Sequence, residues 1–318
     1  MTPSVAVVIP TRARPDALKR CLRQIFPFVA EHPECMIVVS DDGDARETEA
    51  ALADEFPGVR VVQGPRRGPA ANRNCGAHSR GDLLIFLDDD CRPEPNLVAE
   101  YQRAAAEEPE CSLFEGRIST EGTPTSFASV APANETGGHL WSCNFAIRGE
   151  LFAVMGGFDE RFPFPAMEDI EFYHRVAARS RLRFVPGARV FHAYDRRAGW
   201  KVAKHHTLSF VLYLHLHGVK ETGMGPAHHI GVVAHVAATG LLRCLRRQAA
   251  KDPLHLLHIL VANAELAFIT VFWKFHATLA RIFFPPCCPG CETIHAGLRG
   301  NRATTAANAA VNESQVSQ

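Results

Sequence analysis

Five apolar residues run directly into three carboxylates in one stretch of the chain, LLIFLDDD at residues 83–90. The apolar run is typical of a strand buried in a parallel sheet, and Asp88, Asp89 and Asp90 follow where that strand must leave the sheet. In open α/β sheets, ligands bind beyond the carboxyl ends of the strands. Clustered carboxylates repel one another, and a hard divalent cation with oxygen ligands relieves that repulsion. The stretch therefore favours a metal site over the alternative, a solvated turn rich in Asp.

Apolar runs alternate with segments of helical spacing through the first ninety residues. Residues 5–9 and 36–39 are mostly β-branched and predict two further buried strands. Strands alternating with helices predict a parallel, doubly wound α/β sheet with right-handed crossovers. The strands deliver Thr11, Asp42 and Asp88 to one carboxyl edge, which is the expected position of a site.

The composition limits the classes of partner. The chain has 318 residues, of which 47% are hydrophobic and 21% charged, as is usual for a globular protein. Lys and Arg together number 34, and so do Asp and Glu, so the balance of charge argues against a nucleic-acid-binding protein. The chain begins almost at once with a predicted strand, so we expect no signal peptide and a cytoplasmic protein.

The ten cysteines show no disulfide framework, and most are expected to be reduced and buried. The one cluster contains Cys287, Cys288 and Cys291. Three thiols could help to bind zinc, but no second pair with ligand spacing follows, so the sequence gives this hypothesis little support.

The region after residue 200 is predicted to be helical, with long helices at 201–218, 228–248 and 254–284. The last is apolar, but Glu265 and Lys274 interrupt it, which favours a helix packed on the catalytic domain or lying in a membrane interface over a membrane span. Basic residues around these helices fit anionic headgroups and plain solubility equally. We expect three parts, a catalytic domain at 1–198, a helical extension at 199–285, and a Cys/Gly segment with a disordered tail at 286–318.

Six short motifs occur in the order found in family 2 glycosyltransferases, and the chain resembles that family from about residue 5 to residue 192. They are VVIPT at 7–11, SDDG at 40–43, ANRNCG at 71–76, FLDDD at 86–90, GGFDE at 156–160 and EDIEFYHR at 168–175. The resemblance implies a GT-A fold, with a Rossmann-like nucleotide-binding half and an acceptor half, followed in this chain by a helical extension. It also implies an inverting enzyme of bacterial cell-envelope polysaccharide biosynthesis that uses a nucleoside-diphosphate sugar.

The resemblance implies a divalent metal, Mg²⁺ or Mn²⁺, which would neutralise the departing diphosphate. Asp88 and Asp90 match the family's Asp-x-Asp motif. Asp90 would ligate the metal directly, while Asp88 would reach the ribose and the metal. His192 matches a histidine that completes the metal shell in such enzymes, although a core histidine is an equal alternative.

The same resemblance implies a nucleotide site and favours a UDP-type donor. Asp42 matches the residue that accepts a hydrogen bond from the nucleobase imide, and Thr11 lies beside it at the end of the first strand. Arg73 matches the arginine near the base and diphosphate, where a planar donor fork suits phosphate oxygens. Its alternative is a surface arginine on a helix.

For the chemical step, the resemblance implies that Asp169 is the general base, with Glu168 in reserve. A carboxylate at a helix N-terminus tends to stay ionised, as a base must, although simple helix capping is the alternative for each residue. Trp141 and Asn144 are expected to border the acceptor pocket, whose glycan, lipid-linked or small-molecule ligand the sequence does not identify.

Two other functions are alternatives to a glycosyltransferase. A nucleotidyltransferase would need a glycine-rich basic loop after the first strand, but residues 10–15 read PTRARP, without glycine. A scaffold protein with a decayed site is disfavoured because the predicted catalytic and metal-binding side chains are intact. The loop at 11–14 and Cys91 depart from the family pattern, and neither departure removes a predicted catalytic group.

Overall fold

A computed structural model describes residues 3–79, 81–124, 129–196, 199–245 and 253–299. The predicted tail at 301–318 lies outside these residues. The described strands are β1 Val5–Thr11, β2 Cys35–Asp41, β3 Arg60–Gln63, β4 Leu83–Leu87, β5 Cys91–Pro93, β6 Leu113–Glu121, β7 Ser129–Val130, β8 Asn144–Arg148, β9 Leu182–Ala193 and β10 Asp195–Arg196.

The described helices fall in two groups along the chain. The first group is α1 Pro15–Glu31, α2 Ala45–Leu52, α3 Pro69–Ala77, α4 Leu97–Glu107, α5 Gly149–Val154 and α6 Glu168–Val176. The second is α7 Trp200–His217, α8 Pro226–Leu245, α9 Pro253–Val271, α10 His276–Phe283 and α11 Pro289–Arg299.

Eight strands form one mixed sheet in the order β3-β2-β1-β4-β8-β6-β9-β5. The first four strands are parallel, as the alternating pattern predicts. Strand β8 then runs antiparallel to both β4 and β6, and β5 runs antiparallel to β9. The α/β prediction is confirmed, but the sheet is mixed beyond β4. Strand β9 pairs in parallel with β6.

Both faces of the parallel half are buried, which explains its continuous apolar runs. Alternate residues of β1 and β4 enter different clusters, because successive side chains point to opposite faces of a sheet. On one face, residues such as Ile9 and Ile85 pack with α1 and α4. On the other, Val8 and Phe86 pack with aromatic residues from α5, α6 and the turn between them.

The chain divides into two compact units. The first comprises the segments up to residue 121, 131–160 and 168–193, and holds the large sheet. The second comprises 122–130, 161–167 and the chain from 194 onward, and holds the C-terminal helices. The sequence-based boundaries at 198 and 285 stay predictions.

The prediction of one continuous helix over 254–284 is wrong. Helix α9 ends at Val271, and a 3₁₀ turn at Trp273–Phe275 precedes α10. Phe272 has left the helical region, with φ of −98° and ψ of 43°. Aromatic residues have a lower helix propensity than straight-chain residues, and three of the four residues at 272–275 are aromatic.

Among the described residues, no single helix is both long and apolar enough to cross a membrane. Leu260–Val271 and Trp273–Phe283 meet both conditions only when they are taken together, and the two are bent by 102°.

Candidate active site

Asp89, the middle one of the three aspartates, connects the end of β4 to the end of β1. Asp89 is fully buried, and its Oδ2 accepts a hydrogen bond of 2.5 Å from the hydroxyl of Thr11 at the end of β1. Burial raises the pKa of Asp89 to about 7, although nearby Arg14 and the Thr11 hydroxyl favour its ionised form. Thr11 therefore binds the middle one of the strand-end carboxylates, and its contact with the nucleotide stays a prediction.

Arg14 is a site residue that the sequence did not predict. Its guanidinium contacts two of the three carboxylates, with Nη2 2.5 Å from Asp89 Oδ1 and Nη1 2.9 Å from Asp90 Oδ2. Half of the Arg14 side chain is exposed. The only signal in the sequence is the unusual basic loop after β1. Arg14 offsets part of the negative charge that the three carboxylates bring together.

His192 reaches Asp90 because β9 pairs with β5. In that pairing Cys91 lies opposite His192, so the histidine is placed beside the residue before Cys91. His192 Nε2 lies 3.3 Å from Asp90 Oδ1, and Nδ1 lies 2.8 Å from the carbonyl oxygen of Ala193. Burial lowers the pKa of His192, but the contact with Asp90 outweighs it and leaves the pKa raised. The same contact helps to lower the pKa of Asp90 against the effect of burial.

Asp90 and His192 have donor atoms that fit a divalent metal. Asp90 Oδ1 is buried, faces an imidazole nitrogen, and receives no hydrogen bond of good geometry from the part of the chain that the structure describes. When Nδ1–H of His192 donates to the Ala193 carbonyl, Nε2 presents its lone pair, the arrangement common in metal-bound histidines. One carboxylate oxygen and one imidazole nitrogen suit a divalent ion such as Mn²⁺. The Cys91 thiol lies within 4.8 Å of both atoms, but its contact with Cys143 and its burial raise its pKa strongly.

Arg73 joins the strand end to the first turn of α6. It lies on α3 with 4% of its side chain exposed, and Nη2 lies 2.6 Å from Asp88 Oδ1. Its Nη1 lies 3.1 Å from Glu168 Oε1. Burial lowers the pKa of Arg73, but the charges of Asp88 and Glu168 outweigh it and raise the pKa above its ordinary value. The guanidinium is thus held between two carboxylates, and its contact with the base and diphosphate stays a prediction.

The two acidic residues that begin α6 have different surroundings. Glu168 is buried and held by Arg73, while Asp169 is partly exposed. Asp169 Oδ1 accepts a hydrogen bond of 2.9 Å from the backbone of Ile170. Burial raises the pKa of both carboxyls, and in Glu168 the charge of Asp169 adds to the effect. Of the two residues, Asp169 is the more exposed.

The turn into α6 contains an unusual backbone conformation. Met167 has φ of 71°, in the left-handed region that non-glycine residues rarely adopt. Such strained positions cluster at functional sites, where the surrounding structure enforces them. The conformation immediately precedes Glu168 and Asp169.

The strand end of β2 supports a loop after β3. Asp42 Oδ1 accepts a hydrogen bond of 2.8 Å from the backbone N–H of Arg66, and Oδ2 accepts one of 3.1 Å from Gly68. Burial raises the pKa of Asp42, although these hydrogen bonds oppose the shift. Each carboxylate oxygen can accept two hydrogen bonds, so Asp42 keeps the capacity to accept another.

The two residues predicted to border the acceptor pocket have different environments. Asn144 is 1% exposed, and its amide is fully engaged in the interior with the Tyr101 hydroxyl and the carbonyl oxygens of Arg117 and Ala188. These contacts place Asn144 in the core. Trp141 is partly exposed, and its buried indole N–H has no hydrogen-bond partner among the described residues.

The sequence matches a known family over the parallel half of the sheet and the strand-end aspartates. The model of glycosyl transferase family 2 matches residues 6–144. A curated relative, the O-antigen biosynthesis protein RfbC of Myxococcus xanthus, is 27% identical over 191 residues. That match covers 51% of this chain but 15% of the relative, so the chain spans a small part of the protein it resembles.

Two solved structures show a similar fold. One is GalNAc-T7 with UDP, GalNAc and Mn²⁺, with a TM-score of 0.52 and 19% identity over 68% of this chain and 48% of that one. The other is residues 1–349 of S. aureus TarS with UDP, with a TM-score of 0.50 and 13% identity over 95% of this chain and 92% of that one. The prediction of a GT-A type fold is confirmed. The chain is therefore similar to family 2 glycosyltransferases from the first strand to the start of β8.

Proposed function

We propose that the protein is an inverting glycosyltransferase that moves a sugar from a nucleoside-diphosphate sugar to an acceptor hydroxyl. The observation that carries the proposal is the position of Arg73 between Asp88 and Glu168. Asp88 belongs to the strand-end carboxylates, and Glu168 precedes the proposed base, Asp169. The buried guanidinium of Arg73 thus connects the segment proposed to bind the donor with the segment that carries the proposed base.

The proposed donor carries a uracil base. Asp42 supports this assignment because its carboxylate, fixed by two backbone N–H groups, can accept a hydrogen bond from a base N–H. The two similar structures were solved with UDP, which adds support at the level of the fold. The transferred sugar is left open.

A divalent metal is proposed at Asp90 and His192, with Asp88 as a further ligand. When bound, the metal would neutralise negative charge on the diphosphate leaving group. The position of the buried Asp90 Oδ1, 3.3 Å from His192 Nε2, supports this assignment. GalNAc-T7 was solved with Mn²⁺, which makes Mn²⁺ the first ion to test.

The residues of this chain would carry out three tasks around the donor. Asp169 would accept the proton of the acceptor hydroxyl as that oxygen attacks the anomeric carbon from the face opposite the diphosphate. Glu168, held by Arg73, would keep α6 in place and maintain negative charge beside the base. Arg14, half-exposed beside Asp89 and Asp90, would offer a cation to the departing diphosphate.

The proposed acceptor is a lipid-linked or other cell-envelope glycan, reached at the inner face of the plasma membrane. The name of the Myxococcus xanthus relative refers to O-antigen biosynthesis, which supports this class of acceptor. Phe275 and Ile282, on the bent helical segment, are 63% and 64% exposed and could enter a lipid interface.

We expect the protein to sediment with anionic liposomes and a Phe275→Ser, Ile282→Ser double variant to remain in the supernatant. Equal sedimentation of both proteins would remove the membrane part of the proposal.

The reaction type can be tested without a known acceptor. Glycosyltransferases can hydrolyse their donors slowly, with water in place of the acceptor. NMR spectra recorded early in the hydrolysis of α-linked UDP-sugars should show the β-anomer of the free sugar first. An α-anomer formed first would mean retention and would overturn the proposed mechanism. Absence of metal-stimulated hydrolysis and of nucleotide binding would overturn the function.

A further inference from the structure

A second group of metal-binding side chains lies outside the candidate active site. His205 on α7 meets Cys287, Cys288 and Cys291, which lie at and just before the start of α11. All four residues belong to the second compact unit. One donor atom from each residue lies within 4.8 Å of the other three. The group could not be recognised in the sequence, because His205 is 82 residues away from Cys287.

The distances within the group match a tetrahedron of zinc ligands. Cys291 Sγ lies 3.6 Å from both Cys287 Sγ and Cys288 Sγ. His205 Nε2 lies 3.6 Å from Cys287 Sγ and 3.8 Å from Cys288 Sγ. Tetrahedral zinc with its usual bond lengths requires about 3.8 Å between two sulfurs and about 3.5 Å between sulfur and nitrogen. The four measured edges agree with these values to within about 0.3 Å.

Neighbouring residues orient the histidine and the cysteine turn. The ring of Phe164 stacks on His205, with centroids 3.8 Å apart and planes 5° apart. A Cβ added to Gly290 would lie 2.8 Å from two carbons of the same Phe164 ring. Phe164 thus packs against both the imidazole of His205 and the backbone at Gly290. The four donors are held together by packing as well as by their own contacts.

We propose that His205, Cys287, Cys288 and Cys291 bind one zinc ion. Three thiolates and one imidazole form a ligand set typical of structural zinc, and they fill all four positions. The site would join the start of α11 to the second turn of α7. Because the unfolded chain does not preform such a site, zinc binding would stabilise the second unit directly. A disulfide between two of these cysteines is the competing state that the same proximity allows.

The first test is the metal content of the full-length protein, purified under reducing conditions without an immobilised-metal column. We expect one zinc per chain by mass spectrometry. Cys291→Ser and His205→Ala should lose most of it. Cys75→Ser and His206→Ala are matched controls that should keep it, because Cys75 lies on α3 and His206 is the next residue along α7. Zinc retained by both cluster variants would overturn the proposal.

A second measurement uses only the wild-type chain, so it does not depend on a variant that folds. Zinc should be removable with a chelator and replaceable by Co²⁺. Tetrahedral cobalt bound to thiolates absorbs strongly in the visible range and has sulfur-to-metal charge-transfer bands in the near ultraviolet. Such a spectrum, reversed by zinc, would support the site. A zinc-free protein that gives no thiolate–cobalt spectrum would overturn the proposal. A mass of the purified chain that is two hydrogens below the expected value would also overturn it, because it would show a disulfide between two cysteines.

The zinc site and the proposed catalytic metal can be told apart. Asp90→Asn should leave the zinc content unchanged, whereas Cys291→Ser should leave manganese binding at the first unit unchanged if the protein stays folded. Chelation of zinc should lower the midpoint of thermal unfolding in wild type more than in Cys291→Ser. An equal effect of the chelator on both proteins would contradict a stabilising zinc ion at this cluster.

Discussion

Arg73 Nη1 lies 3.1 Å from Glu168 Oε1, although 95 residues separate the two along the chain. Both side chains are almost fully buried, and the other end of the guanidinium contacts Asp88. A buried charge is stable only when it is paired and hydrogen-bonded. The position of the α6 N-terminus, and with it Asp169, therefore depends on the same arginine that contacts the strand-end carboxylates.

Loss of the Arg73 charge should destabilise the fold. Arg73→Met would leave Glu168 buried without its partner, and we expect the free energy of unfolding to fall by about 3–5 kcal/mol in a denaturant titration. Arg67→Met is the control, because its ion pair with Glu160 is exposed and should contribute little. If both variants unfold at the same denaturant concentration as wild type, the buried pair between Arg73 and Glu168 does not stabilise the fold.

Removal of the proposed base should affect turnover and leave donor binding intact. Asp169→Asn preserves shape but cannot accept a proton, so we expect turnover to fall by about 10²- to 10⁴-fold. Calorimetry should give an unchanged dissociation constant for the nucleotide. Glu168→Gln should lose less activity, because Glu168 is held by Arg73 and is less accessible. An Asp169→Asn variant with wild-type turnover would exclude this residue as the base.

The dependence of activity on pH should show the raised pKa values of the paired carboxyls. Burial raises the pKa of Asp169 and of Glu168. A base works in its ionised form, so activity should fall with falling pH at a midpoint above about 4, the ordinary Asp value. The rate should be measured at saturating metal, because protonation of His192 would also weaken metal binding. A midpoint at or below the ordinary value, unchanged by metal concentration, would contradict the raised pKa.

His192 should contribute to metal affinity. We expect His192→Gln to raise the dissociation constant of Mn²⁺ by about ten-fold or more, a loss comparable to that caused by mutations around metal ligands. His32→Gln is the matched control, because His32 lies at the C-terminal end of α1, next to the start of β2 and away from the carboxyl edge. Electron paramagnetic resonance of free Mn²⁺ measures both affinities. Equal affinities for wild type and His192→Gln would remove His192 from the ligand set.

Much of the fold follows from local patterns. The apolar runs of β1, β2 and β4 are long and bounded by polar residues, so their burial and their shared carboxyl edge could be predicted. The reversed strand β8 could not, because its five residues carry no signal of direction. The break between α9 and α10 was also missed, since apolar composition alone does not show where a helix changes direction.

The sequence could indicate which residues belong to the candidate site, but it could not indicate most of the contacts among them. The aspartates and His192 could be named from motifs, yet the contact between Asp90 and His192 depends on a long-range strand pairing. The contacts of Arg14 arise from an unusual loop sequence. Asn144 was expected at the acceptor pocket because of its place in the chain, but its amide satisfies interior carbonyls. Contacts of this kind depend on tertiary structure.

The most direct test of metal-assisted binding of a nucleoside-diphosphate sugar is a thermal-unfolding screen of nucleoside diphosphates and their sugars. It is run with and without Mn²⁺ on wild type and on Asp90→Asn. A ligand that binds only the folded protein raises the unfolding midpoint. We predict that uridine nucleotides raise it, that Mn²⁺ increases the effect, and that Asp90→Asn loses the Mn²⁺-dependent part. A wild-type midpoint unchanged by every nucleotide, with or without Mn²⁺, would contradict the proposed function.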